Sequence, residues 1–310
     1  MTTVEEARIE SGRSNILKGI PLLLITTFGW GANWPIMKIV LLYLPPLSFR
    51  GVCVLCGGLG ILAVARIRGI GVSLPRDRVS QIIWLSIFNV VAWQVLSIYG
   101  LSYLPAGRAS LLNYTMPLWC LPLSAIFLGE KITGRRIAAL ALGLGGVGLL
   151  MGDSFKEMSS APLGIALMLL GAWSWALGIV LIRRWQVPIP TSVLTGWMLV
   201  IGGPPLLFAA SLIDRPSDHW TNLSVMLGVL YNIIIVFMLC QWAWSRLVLI
   251  TPIGFSSLSS LITPIVSIVV GSVAFHQAPT RSELVAMLLI LGSLAIAAYR
   301  APVREARSPA

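Results

Sequence analysis

Charge is what this sequence has least of. Asp, Glu, Lys and Arg make up 11% of its 310 residues, whereas 57% are hydrophobic. Soluble domains carry roughly 25% charged residues, so an ordinary aqueous fold is excluded, as the mean hydropathy of +0.88 also requires. A membrane-crossing helix takes about 20 mostly apolar residues, so ten spans use about 200 and leave about 110 for ends and loops. No soluble domain fits that remainder, and whatever the chain does is done within or across a bilayer.

Histidine is almost missing: only His219 and His276 occur, both in expected loops. A His-rich metal set for intramembrane proteolysis is therefore excluded, and no base stands beside a serine nucleophile. Asp-rich Mg²⁺ clusters are absent too. Neither an enzyme nor a cofactor is expected. The cysteines number four, Cys53, Cys56, Cys120 and Cys240, all in apolar runs. The C-x-x-C at Cys53–Cys56 lacks the electropositive, accessible setting of a redox pair, so packing is the expected role. The eleven acidic residues are Glu5, Glu6, Glu10, Asp77, Glu130, Asp153, Glu157, Asp214, Asp218, Glu283 and Glu305, none mid-span. Carboxylate relays of proton-coupled carriers sit inside the membrane, so facilitated, gradient-driven movement is expected instead of proton antiport.

What is present is a run of apolar segments. They predict an all-α integral membrane protein with ten transmembrane helices, near 17–38, 46–66, 79–100, 106–128, 135–152, 162–182, 191–213, 222–246, 252–274 and 281–300. Most of the prolines between them, such as Pro45, Pro46, Pro162 and Pro190, fall at or near segment ends, where no backbone donor is missed. The first apolar run lacks a cleavage signal of small residues and reads as a retained helix. The net charge of +11 admits nucleic acid or a membrane-side bias. With both termini cytoplasmic, sixteen Lys or Arg lie on the inner side, and only Lys38, Lys156, Arg215 and Arg281 on the outer. That asymmetry is the positive-inside rule, and no nucleic-acid partner is expected.

The two halves resemble each other. Gly19 and Gly164, Trp30 and Trp175, and Gly51 and Gly196 are each 145 residues apart. Gln94 and Gln241, Gly107 and Gly254, Pro117 and Pro264, Thr133 and Thr280, and Gly145 and Gly292 are 147 apart. The expected units are a cytoplasmic tail 1–16, a five-helix repeat 17–152, a second repeat 162–300 and a tail 301–310. An odd number of spans per unit inverts the second repeat relative to the first. Inverted repeats with a midplane site between them are a signature of secondary transporters.

With W-x-x-N at Trp30–Asn33 and F-L-G-E-K-I-T at Phe127–Thr133, the chain resembles the drug/metabolite transporter (DMT) superfamily. Within its ten-helix EamA-type branch it is similar to YddG-type exporters of amino acids. The second repeat departs from the motif at His276–Thr280. The resemblance implies export of small metabolites such as amino acids, apolar and aromatic ones included, across a bacterial inner membrane. Alternating access would proceed around a cavity lined chiefly by helices 1, 3, 4, 6, 8 and 9. The implied partners are a small-molecule substrate and the lipid bilayer, and a monomer suffices. Sugar-phosphate and multidrug carriers of the superfamily are the nearer alternatives; a receptor, a scramblase or an intramembrane enzyme is the more distant one.

Helical spacing puts Trp30, Asn33, Trp34 and Met37 on one face of the first span, where an amide between indoles either meets an amphipathic solute or packs between helices. The third span carries Asn89, Trp93 and Gln94, and its counterpart, the eighth, carries Tyr231, Asn232, Gln241 and Trp242. Unpaired amides in hydrocarbon are costly, so these face either protein or a wet cavity. The fourth span offers Asn113 and Tyr114 ahead of Pro117, and the ninth Ser257 and Ser260 ahead of Pro264. Each proline marks a hinge or a simple kink. The resemblance adds Trp173 and Trp175 from the sixth span. Arg50 and Arg108, near outer helix ends, either attract a carboxylate or snorkel to the interface, and snorkelling is favoured. Ala138, Ala141, Gly145, Gly148 and Gly152 predict a close-packing seam, with the tenth span as a candidate partner.

Overall fold

The computed structural model describes residues 3–104, 109, 112–113, 115–151, 161–251, 256, 261–263, 265–266 and 281–298. Its main helices are α1 (Thr3–Val40), α2 (Pro46–Ile67), α3 (Arg76–Tyr103), α4 (Met116–Leu128), α5 (Gly134–Met151), α6 (Pro162–Trp185), α7 (Thr191–Ile213), α8 (Leu223–Ile250) and α9 (Arg281–Ala298). Among the described residues there is no strand. Five helices, α2, α3, α6, α7 and α8, are long and apolar enough to cross a membrane. Large apolar side chains such as Phe28, Leu59, Ile126, Phe208 and Leu288 stand exposed around the bundle, a surface that only lipid solvates well. Most of the expected ninth span lies outside the described residues, so α9 answers to the expected tenth.

Helix ends follow local chemistry. Pro46 and Pro162 begin α2 and α6, where the missing N–H is no loss. Pro45 cannot cap α2 with its side chain. Asp214, at the end of α7, does so instead: its Oδ2 accepts from Ser48 N at 2.6 Å and from Ser48 Oγ at 2.8 Å, placing a carboxylate at a helix N-terminus. After α4, Gly129 takes φ 66°, a left-handed stop suited to glycine. The adjoining Glu130 pairs with Arg136 at 2.8 Å, which ties the F-L-G-E-K-I-T segment to the start of α5.

Packing repeats with the sequence. The α1–α8 contact has its counterpart in α6–α3, α2–α8 has one in α7–α3, and α2 crosses its own counterpart α7. At that crossing glycines leave room for the partner. A Cβ on Gly51 would stand 2.7 Å from Leu207 Cδ2, and one on Gly196 2.6 Å from Leu62 Cδ2. These two contacts are images of each other at a 145-residue offset. Gly58 meets backbone instead of a side-chain tip, since its Cβ would stand 2.8 Å from the backbone nitrogen of Val200.

The seam on α5 corrects the sequence reading. A Cβ on Gly145 or Gly148 would meet nothing within 4 Å, whereas one on Gly146 would stand 2.9 Å from Ala286 O and one on Gly143 2.9 Å from Ser293 Oγ. Ala138 and Ala141 are exposed, while Ala139 is buried; Gly152 lies outside the described residues. The helix carries so many small residues that two adjacent stripes share the same spacing, and only contact with α9 selects between them.

Two further features repeat. A π-helical stretch occupies Ile87–Ala92 of α3 and another Asn232–Cys240 of α8; an offset of 147 carries the first into the second. In addition, Lys38 Nζ donates to Leu101 O at 3.4 Å, and Arg183 Nη1 donates to Val248 O at 2.7 Å and to Thr251 O. Lys38 and Arg183 are repeat mates, as are Leu101 and Val248. Each cation satisfies carbonyls left open at a helix C-terminus.

Candidate functional site

Each π-helical stretch leads directly into residues that line one hollow. A wide turn displaces the residues that follow it relative to a regular helix, and such insertions recur at functional sites. Trp93 and Gln94 follow the first stretch and Gln241 the second. All three line a hollow where α1, α3, α6 and α8 meet, together with Trp30, Asn33, Trp34, Asn113 and Trp175. Those eight are expected site residues. The lining also includes Met37, Arg50, Ser97, Val236, Phe237 and Thr263. Its volume of ≈ 60 Å³ admits a few waters, so a larger solute enters only when helices part.

One wall is indole. Trp30 meets its repeat mate Trp175 edge-on at 5.3 Å between centroids, and Trp93 stacks on Trp175 at 5.2 Å. Trp244 lies 5.4 Å from both Trp30 and Trp175 and is fully buried. Another part is amide and guanidinium. Arg50 Nε donates to Gln94 Oε1 at 2.7 Å and Arg50 Nη1 to Asn232 Oδ1 at 3.0 Å. Asn33 Oδ1 and Asn113 Oδ1 are buried with no hydrogen-bond partner.

Arg50 is the main correction. Expected to snorkel, it is 4% exposed and points inward. Snorkelling needs a short path to water, and Gln94, Asn232 and the ring of Phe237, 5.1 Å from Cζ, hold the guanidinium away from one. Position near a helix end was the only sequence signal, and it pointed outward. Arg108 lies outside the described residues.

Other expected residues stand apart from the lining. Asn89 fills the space over Gly178 of α6 and donates from Nδ2 to Leu85 O at 3.2 Å, so it packs α3 on α6. Trp173 is 37% exposed and edge-on to Phe88; it faces out because it is two residues from Trp175 on the same helix. Tyr231 donates its hydroxyl to Gly29 O at 2.7 Å, linking α8 to α1. Asn232 is fully buried and acts through Arg50, and Trp242 is half-buried outside the hollow. Pro117 opens the first turn of α4, after a turn at Thr115. Tyr114, Ser257, Ser260 and Pro264 lie outside the described residues.

A duplicated helical bundle, apolar outside and polar at the meeting of its halves, defines a multi-pass membrane carrier. Comparison with known proteins then gives the family. Residues 17–152 and again 162–299 match the EamA-like transporter family, and the chain belongs to it. "Uncharacterized transporter YvbV" of Bacillus subtilis is 30% identical over 92% of this chain and 93% of its own length. "Probable amino-acid metabolite efflux pump" of Salmonella typhimurium is 26% identical over 92% of this chain and 96% of its own. A solved crystal structure at 22% identity superposes with a TM-score of 0.74 over 92% of this chain and 97% of its own, which bears on fold alone.

Proposed function

We propose that the protein exports amino acids across a bacterial inner membrane, by alternating access of two inverted five-helix repeats around the central hollow. The observation that carries this is the pairing of repeat mates in one lining: Trp30 with Trp175, and Gln94 with Gln241. A site made of equivalent residues from both halves lies on the pseudo-symmetry axis, where rocking one half against the other exposes it alternately. Indoles suit apolar side chains, and amides and a guanidinium suit a polar head. The ten-span count, inversion and cytoplasmic termini come from the charge bias and the duplicated family match. The inner membrane and amino-acid cargo draw support from relatives named "Uncharacterized inner membrane transporter YedA" in Escherichia coli and "Probable amino-acid metabolite efflux pump".

Purified protein in liposomes tests the reading. With amino acids loaded inside, radiolabelled leucine, phenylalanine or threonine outside is expected to accumulate by counterflow, saturably, with no imposed ion gradient. An imposed pH gradient is expected to leave that flux unchanged, because no described lining residue is a carboxylate. Flux of sugar phosphates or lipophilic cations with none of amino acids abandons the cargo, and strict dependence on the proton gradient abandons the facilitated mechanism.

A further inference from the structure

Among the described residues the hollow holds a cation without an anion. Arg50 is the one charged residue in its described lining. Among the described residues the ion pairs are Arg78 with Asp77 and Arg136 with Glu130, neither involving it. No acidic residue occurs between Asp218 and Glu283, so the stretch over 252–280 supplies none either. Burying an unpaired charge is costly. The two amide oxygens and the rings of Phe49 and Phe237, 5.6 and 5.1 Å from Cζ, soften that cost without cancelling the charge. They also fix the guanidinium plane. A guanidinium has five N–H donors, and two are engaged by Gln94 and Asn232. Three remain for a ligand.

Two acceptors complete the pattern. Asn33 Oδ1 and Asn113 Oδ1, on residues 6% and 4% exposed, have no partner, and buried acceptors left unpaired are unfavourable. A ligand with one anionic group and one cationic donor answers both needs. A phosphate dianion overbalances a single cation and leaves the amide oxygens unpaired.

We propose that Arg50 is the carboxylate anchor of the hollow and that Asn33 and Asn113 receive the substrate's ammonium group, so that the site reads the zwitterionic head of an α-amino acid. This rests on the amino-acid reading above. Planar guanidinium and carboxylate pair through two parallel bonds, and Trp30 and Trp175 then take the side chain. Asn232 is a positioning residue, which acts by orienting Arg50.

Counterflow of radiolabelled leucine in proteoliposomes tests the assignment, with leucinamide, isoamylamine and 4-methylvalerate as competitors and Arg50→Gln and Arg50→Lys as variants. Leucine competes in wild type, and the three analogues, each lacking one charge of the head, are expected to compete roughly ten- to a hundredfold more weakly. Arg50→Gln is expected to raise the leucine KM by a similar factor without weakening inhibition by isoamylamine, which has no carboxylate and is freed of repulsion by the guanidinium. Arg50→Lys keeps the buried charge and loses the fork, so its KM falls between the two; it decides the matter where Arg50→Gln does not fold. Leucinamide competing as well as leucine, or a variant with unchanged leucine KM, overturns the anchor while leaving amino-acid transport standing. Absence of any amino-acid flux in wild type overturns the transport reading, and the head-group assignment with it.

Discussion

Asn89 and Arg50 exchanged the roles that their positions suggested. Both are polar residues in apolar segments, and burial alone makes either one functional or structural. Asn89 finds its partners locally, over Gly178 and at Leu85 O, so its side chain is spent on packing. Arg50 finds only neutral partners and keeps donors to spare. Asn89→Ala is therefore expected to lower stability by about 1–3 kcal/mol, seen as a lower melting temperature in detergent, with the substrate KM unchanged. A raised KM at unchanged stability returns Asn89 to the site. Eight of the expected residues do meet in the hollow: 3.6-residue spacing selects Trp30, Asn33 and Trp34 as one face of a helix, and the cost of unpaired amides in hydrocarbon points to Gln94 and Gln241. The resemblance implies both Trp173 and Trp175, but residues two apart on a helix face different ways, and only Trp175 turns inward.

At the scale of elements, close approach is set by glycine, and the structure separates glycines that touch from those that do not. Gly146→Ala puts a Cβ against the carbonyl of Ala286, and backbone cannot step aside. A loss of about 1–3 kcal/mol is expected. Gly145→Ala, one residue away and open, is expected to be neutral or to add up to about 1 kcal/mol through helix propensity. Thermal unfolding of the two variants side by side checks this, and the reverse order restores the stripe first read from the sequence. The paired clasps permit a comparison between repeats. Arg183 reaches two carbonyls and Lys38 one, the latter at 3.4 Å. Arg183→Ala is thus expected to destabilise the end of α8 more than Lys38→Ala destabilises the end of α3, read by faster hydrogen exchange there.

For the whole molecule the decisive test is that of the proposed inversion. Ser73 lies between α2 and α3, and Ser217 at the equivalent turn between α7 and α8. With the native cysteines replaced, Ser73→Cys is expected to be labelled by impermeant maleimide only from the cytoplasmic side, and Ser217→Cys only from outside. Labelling of both from one side ends the inverted arrangement and the rocking mechanism built on it.

The chain by itself determined its solvent, its segment periods, its duplication and the residue types of its site. Each of these is a property of composition or of spacing along one dimension. The tertiary structure alone decided which small-residue stripe of α5 meets α9, that the two π-helical stretches set Trp93, Gln94 and Gln241 against the hollow, and that Arg50 turns inward. Those outcomes depend on partners far apart in sequence, such as Asn232 for Arg50, and a contact energy exists only once both partners are in place.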